Sequence, residues 1–400
     1  MMAAIRAAEM SAKVTLLEKN EKLGKKLFIT GKGRCNVTNA CPVEDLFSHV
    51  LTNDKFLYGS FYTCTNDAVM AFFEENGVPL KIERGERVFP VSDHASDIIK
   101  GLKRALKKNH VAVRLDSQVK DVCIRDGAFS SVILEDGTEI AADACIVATG
   151  GLSYASTGST GDGYRFAQKA GHTLSDCLPA LVPLNCSGSV CQKLMGLSLK
   201  NVSITVKDGK KTLYEDFGEM LFTHFGLSGP VILSASGVIA KTLKKKPLSL
   251  EIDLKPALDE EKLDGRLLRM FEENINRQFK NAVHGLFPAK LTPVMIECSG
   301  IPEDKPVHSI TKEERRHFVH LIKHFPVNLT GLRSFDEAII TKGGVKVKEI
   351  DPSTMMSKKV KNLFFAGEVL DLDAVTGGFN LQIAWSTGFV AGEGAASADD

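Results

Sequence analysis

Residues 13–36 read KVTLLEKNEKLGKKLFITGKGRCN. Val14, Leu16 and Leu17 make a short apolar run of the kind that forms a buried parallel strand, and the run ends in Glu18. An acidic residue closing the second strand of a βαβ unit is placed to accept hydrogen bonds from the ribose hydroxyls of a dinucleotide. After a short charged connection comes Gly31-Lys32-Gly33-Arg34-Cys35-Asn36. Two glycines let backbone approach a ligand closely, and exposed N–H groups together with Arg34 suit a phosphate or an electron-rich ring. A strand ending in Glu is common by itself; its meaning here comes from the glycine-rich segment behind it and from the far end of the chain.

At that far end, residues 361–366 form an apolar strand that delivers Gly367-Glu368, followed by Asp371 and Asp373. Gly377-Gly378-Phe379-Asn380 then leads into a helix through Trp385. In the middle of the chain another apolar strand, 144–148, runs into Thr149-Gly150-Gly151, where glycines let the chain turn beneath a ligand without a Cβ clash. ATGG is weak alone and gains specificity from the alternating segments that precede it. Those segments, 111–114, 118–125, 130–134 and 139–140, have turns at Asp126-Gly127 and Asp136-Gly137 and predict an antiparallel meander. Residues 157–172 are a glycine-rich loop entering a helix, whose N-terminus near residues 161–163 suits an anion or simply packs beside the ATGG turn.

Three blocks, EKNEKLGKKLFITGKGRCNVTN from Glu18, EMLFTHFGLSGPVIL from Glu219 and AGEVLDLDAVTGGFNLQIAWSTG from Ala366, resemble the YhiN/BaiN group of flavoproteins, within the two-dinucleotide-binding-domain superfamily. The resemblance covers nearly the whole chain. It implies an α/β, Rossmann-like FAD-binding domain (residues 1–184 and 331–400) with an inserted β-rich and helical domain at 185–330. It implies FAD contacts from Glu18, Gly31, Gly33, Arg34, Cys35 and Asn36 and from Val119, whose backbone in this superfamily meets the adenine. Thr149, Gly150, Gly151, Gly367, Glu368, Asp371, Gly377, Gly378, Phe379 and Asn380 complete the set. Reduced flavin carries negative charge near N1, which a helix N-terminus at the GGFN turn stabilises.

The chain departs from that pattern at its start. Residues 1–9, MMAAIRAAE, have the Ala-rich look of a helix packed against a sheet. In the family that helix follows a first strand and a G-x-G-x-x-G turn, and neither is present. Either the true start lies upstream, with Met1 or Met2 internal, or the chain is a natural truncation that binds flavin weakly or not at all. The first is the expectation, and the coding DNA ahead of Met1 decides it.

Elsewhere, Asn66 to Asn76 and Ser96 to Lys108 have helical spacing, with short strands at 80–82 and 87–89 between them. PALVP at 179–183 marks a boundary. Beyond it, 202–206, 211–217, 219–222 and 248–254 read as strands and 227–243, 258–274, 289–298 and 311–324 as helices, before a strand over 331–340.

With 44% apolar and 25% charged residues, the composition is that of an ordinary globular protein, and the net charge of +1 gives no field for nucleic acid or anionic membrane. No apolar run reaches the ~20 residues needed to span a bilayer, and no signal peptide is visible. Nine cysteines without a CxxC pair argue for reduced thiols and no metal site, hence a cytoplasmic protein; the resemblance implies a small-molecule substrate. Oligomeric state is not legible.

The family resemblance implies NAD(P)H-linked reduction of a carbon–carbon double bond conjugated to a 3-oxo group, as in bile-acid intermediates. Hydride to one carbon requires a proton donor at the other. His224 and Tyr154 are the candidates carried forward, with Tyr164 and Cys35 behind them. An oxidase or dehydrogenase of an amine or hydroxyl, and an inactive or RNA-linked flavoprotein, are the competing readings.

Overall fold

The computed structural model describes residues 1–398. The chain divides into two compact units, residues 1–180 with the chain from 334 onward, and residues 181–333.

The first unit carries a Rossmann-like α/β framework. Thr15–Leu17 pairs in parallel with Ala112–Arg114, and Cys145–Val147 pairs in parallel with Leu363–Phe365. No strand of the described residues bonds to both pairs. Ala112–Arg114 corrects the expectation that it opens the antiparallel meander. It follows directly on the helix Ala95–Lys108, and a strand reached through a helical crossover returns parallel to its partner. The meander is three-stranded, Val119–Arg125, Ala128–Leu134 and Glu139–Ala141. Asp126 and Gly127 both take positive φ, as a tight hairpin turn requires.

Local sequence explains the helices of this unit. Asn66–Glu75 starts where the Thr65 hydroxyl accepts the Ala68 N–H. Ala95–Lys108 buries Ile98, Leu102, Ala105 and Leu106, three or four residues apart. The helix Met2–Glu9 lies against the long C-terminal helix Phe379–Ala396 through small residues: a Cβ at Gly392 would come within 2.5 Å of the Ala3 carbonyl oxygen. Arg6 crosses that seam to Glu393 at 2.6 Å.

The second unit is a closed six-stranded antiparallel barrel. Its order is Leu184–Cys186, Gly226–Ser228, Lys211–Phe222, Ser198–Asp208, Leu248–Asp253 and Phe325–Leu332, which returns to the first. Val202, Ile204 and Val206 alternate inward, as do Leu248, Leu250 and Ile252. Packed against them are the helices Pro230–Leu243, Glu260–Glu273, Thr292–Ser299 and Lys312–Lys323. Sequence periodicity splits 211–222 into two strands where one strand exists, because Gly218 breaks the side-chain pattern where the register with Ser198–Asp208 shifts, while the strand runs on. Leu227 belongs to a strand, and the helix starts only at Pro230, which presets the first turn.

The expected strand over 331–340 is also corrected. Phe325–Leu332 completes the barrel, and a separate strand, Ile340–Lys342, pairs antiparallel with Leu178–Ala180 in the first unit. No helix among the described residues is long and apolar enough to cross a membrane.

Candidate functional site

The loop after the first parallel strand is strained. Gly31, Lys32, Gly33 and Cys35 all have positive φ, two of them non-glycine, a state that persists only where surroundings enforce it. Behind it, Thr38 and Asn39 run beside the second glycine turn. Asn39 Nδ2 donates to the Gly377 carbonyl at 3.1 Å. Gly378, at φ 102, leaves only 2.4 Å between the position of a Cβ and the Thr38 carbonyl oxygen. Trp385 Nε1 donates to the Val37 carbonyl at 2.9 Å, fixing the helix Phe379–Ala396 against the same segment. The two predicted glycine-rich segments are therefore one assembly.

A second cluster gathers at the ATGG turn. Ser153, fully buried, receives Lys26 Nζ on both its carbonyl and its hydroxyl at 2.9 Å. The Ser153 hydroxyl donates to Glu368 Oε1 at 3.2 Å, which also accepts the Thr341 N–H at 2.7 Å. The Thr341 hydroxyl accepts from the N–H groups of Leu152 and Ser153 at 2.8 and 3.1 Å. Gly150 and Gly151 have no room for a side chain: a Cβ would stand 2.8 Å from Ser159 Oγ and 2.5 Å from Thr341 Oγ1, respectively. Burial lowers the Lys26 pKa, with Glu368 opposing it. Lys26 also lies 5.3 Å from the centre of the Tyr154 ring. Lys26, Ser153 and Thr341 were not singled out from sequence; Lys26 sits in a short charged connection, and only folding half-buries it against Ser153.

Glu18 ends its strand as expected, and its Oε1 accepts from the backbone and side chain of Asn20 at 2.9 and 2.7 Å. Asn20 reaches on to the Thr157 carbonyl at 3.1 Å, and Lys19 pairs with Asp162 at 2.7 Å. The turn after Glu18 is thus tied to the 157–162 loop. The Asp162 carboxylate at the start of the helix Asp162–Lys169 is held by Lys19 and the Thr160 hydroxyl.

Several predicted contacts are spent inside the protein. Arg34 Nε donates to Asp93 at 2.7 Å and Nη2 to Glu83, while the guanidinium lies 4.0 Å from the Phe89 ring centre. Its partners are protein carboxylates and a protein ring. Asn380 clasps its own loop, accepting from the Ala374 N–H at 3.0 Å and donating to its carbonyl at 2.8 Å. Phe379 stacks on His49 at 4.1 Å. Val119 opens its strand opposite Leu134, and Gly367 donates its N–H to the Thr387 hydroxyl at 3.0 Å. Burial pushes the Cys35 thiol up to about 12, which removes it as a redox or acid group. Tyr164 is held well above its ordinary value, first by burial, so it is a poor proton donor. Tyr154 lies half-buried in the first unit with φ 54. His224 is exposed in the turn that joins Lys211–Phe222 to Gly226–Ser228 in the barrel.

Fit to a dinucleotide can be judged from what the protein leaves unsatisfied. Asn36 Oδ1, Thr149 Oγ1 and Asp371 Oδ1 are buried side-chain atoms without an internal partner, and all three lie at positions expected to meet the cofactor. Ser60 Oγ, Tyr164 OH and Asn362 Oδ1 are in the same state at other positions; a buried polar atom without a partner costs about 1–3 kcal/mol, so the three at expected cofactor positions are open to a polar ligand. These atoms, the backbone of residues 31–36 and the N-terminus of Phe379–Ala396 could hold it.

A family model described as the HI0933-like protein Rossmann domain matches residues 1–394. The chain belongs to the HI0933-like family. It is accordingly an FAD-dependent oxidoreductase of the YhiN/BaiN type. Among curated relatives, a 3-dehydro-bile acid Δ(4,6)-reductase of Clostridium scindens is 31% identical over 398 residues, covering 99% of this chain and 96% of that one. A ribosomal RNA dihydrouridine synthase of Haemophilus influenzae is 30% identical, covering 96% and 93%. Among solved structures, a 3-ketosteroid-Δ4-(5α)-dehydrogenase from Rhodococcus jostii superposes with a TM-score of 0.54 at 14% identity, covering 99% and 94%, a likeness of fold.

Proposed function

We propose that this protein reduces a carbon–carbon double bond conjugated to a carbonyl in a small hydrophobic substrate such as a 3-oxo bile-acid intermediate, with NAD(P)H as the electron source. One observation carries the reading: full-length relatives with different substrates share a reaction. A 3-oxo diene and the uracil ring of uridine both present a double bond made electrophilic by a carbonyl in conjugation with it. Saturating either adds hydride to the carbon remote from the carbonyl and a proton to the nearer one.

FAD, when bound, supplies the hydride. The chain's own residues do the rest. Glu18, Asn36, Thr149 and Asp371 bind the cofactor's polar groups, and the glycines at 31, 33, 150, 151, 377 and 378 let backbone N–H groups approach it. Lys26, held by Ser153 and opposed by Glu368, fixes the turn that carries Tyr154. Tyr154 delivers the proton, with His224 as the alternative donor.

A second reading, an RNA substrate, is favoured by the two relatives named as ribosomal RNA dihydrouridine synthases, at 30% and 27% identity. The test is anaerobic. Protein reconstituted with FAD is mixed with NADH or NADPH, and the bleached sample is then offered a 3-oxo-4,6-diene steroid or ribosomal RNA. Reoxidation by the steroid, with the saturated product found by mass spectrometry, supports the proposal. Reoxidation by RNA alone, with dihydrouridine in the digest, moves the assignment to the second reading. Oxygen consumption with an amine or alcohol and no bleaching by NAD(P)H overturns both.

A further inference from the structure

In the barrel unit, two histidines stand one turn apart where the helix Lys312–Lys323 ends: His320 within it and His324 at its C-cap. Their ring centres are 4.5 Å apart. Both face Glu260, the first residue of the helix Glu260–Glu273. Glu260 Oε1 lies 3.5 Å from His320 Nδ1 and 3.6 Å from His324 Nε2, and one ligand atom from each of the three residues falls within 4.8 Å of the others. Those separations are long for hydrogen bonds. They match the spacing of two ligands on one tetrahedral ion, which at bond lengths of about 2.0–2.2 Å is roughly 3.3–3.6 Å.

A further contact supports the histidines. His324 Nδ1 is 2.9 Å from Glu251 Oε2, and Glu251 is itself held by Lys207 at 2.7 Å. A carboxylate facing Nδ1 keeps the proton there, which turns the Nε2 lone pair toward Glu260. That is the arrangement by which carboxylates orient metal-bound histidines. All three candidate ligands are open to solvent, with side-chain exposures of 54, 64 and 40% for Glu260, His320 and His324.

We propose that Glu260, His320 and His324 form a binding site for a first-row divalent transition-metal ion of the zinc type, completed by water. The ion pins the start of one helix to the end of another and so stiffens this face of the barrel unit. Imidazole and carboxylate suit zinc, nickel and copper rather than magnesium or calcium. Ligation needs neutral imidazoles.

The experiment uses the purified full chain after treatment with a chelator. Zn²⁺ is titrated by calorimetry and Co²⁺ by visible absorption, with thermal melts recorded with and without Zn²⁺. One equivalent is expected to bind and to raise the melting temperature. His320→Ala and Glu260→Gln should each weaken Zn²⁺ binding at least tenfold, a loss read in the calorimetric Kd, while leaving the metal-free melt unchanged. Glu251→Gln, which touches no metal, should weaken binding about 10–100-fold. Nine free cysteines, one of them exposed, offer rival ligands, and cobalt distinguishes them by its thiolate charge-transfer band. That band, or an unchanged Zn²⁺ affinity in His320→Ala and His324→Ala, or no binding at all, overturns the assignment.

Discussion

Lys26 and Ser153, 127 residues apart in the chain, are joined by two hydrogen bonds of 2.9 Å, from one ammonium to the carbonyl and hydroxyl of one serine. The link binds the segment that follows the first parallel strand to the turn that follows the ATGG strand. Lys26→Met leaves buried oxygens without their donor, at a cost of about 1–3 kcal/mol. The expected outcome is a lower melting temperature and a lower FAD-to-protein ratio after purification. Lys25→Met, which removes bonds only to Asn20 and Glu21, should change both measurements little.

Lys342 and Asp373 form an ion pair with side-chain exposures of 7 and 0%. Its Nζ sits 2.8 and 3.1 Å from the two carboxylate oxygens and 2.9 Å from the Thr52 hydroxyl. Asp373→Asn strands a buried ammonium, and denaturant melts should show a loss of about 3–5 kcal/mol. The double variant Lys342→Met/Asp373→Leu should recover most of it, because no uncompensated charge remains. Equal instability of single and double variants would refute this account.

Acid stability should have two limbs. His172 lies with its side chain fully buried between Glu349 and Ser357, at 3.1 and 2.8 Å. Burial lowers its pKa from the ordinary 6.5, with Glu349 opposing. A folded pKa below the unfolded one means that stability is lost as pH falls below 6.5. For Glu349, burial raises the pKa, but hydrogen bonds from Lys359, Thr173 and His172 prevail and hold it at about 2, against 4.5 ordinarily. Its contribution is intact above 4.5 and is lost between there and about 2. Melting temperature against pH should lose its upper limb in His172→Asn and its lower limb in Glu349→Gln.

Gly378 and Gly137 separate strain from contact. Both have positive φ, 102 and 85°, but a Cβ at Gly378 meets the Thr38 carbonyl at 2.4 Å, while one at Gly137 meets nothing within 4 Å. Gly137→Ala should cost about 1 kcal/mol, the penalty of a left-handed alanine. Gly378→Ala must also move backbone of the predicted cofactor turn. Its loss in chemical denaturation should be larger by about 1–3 kcal/mol, with FAD retention falling in parallel. Equal losses in the two variants would show that the turn has room to spare.

Much of the fold was legible in the chain. Apolar runs marked three of the four strands of the parallel pairs, and 3–4-residue spacing marked the helices at 66–75 and 95–108, because burial on one face leaves a period in the sequence. Glycine turns announced the 31–36 and 377–380 segments because positive φ and close backbone approach favour glycine. What periodicity cannot carry is partner choice. Ala112–Arg114 alternates like its neighbours in the meander, yet the crossover gives it a parallel mate. Closure of the barrel depends on pairing Leu184–Cys186 with Phe325–Leu332, more than a hundred residues on.

Sequence by itself determined the flavoprotein family and the turns around which the site is built, since those turns favour particular residue types wherever they occur. Only the tertiary structure decided how each polar side chain is used. Arg34 is consumed by Glu83 and Asp93, Asn380 by its own loop, and Lys26, in a short charged connection, is drawn in against Ser153. Glu260, His320 and His324 are brought together across sixty residues. Charge and hydrogen-bonding capacity are written in the sequence, but whether they are spent depends on distances of a few ångströms between groups far apart in the chain.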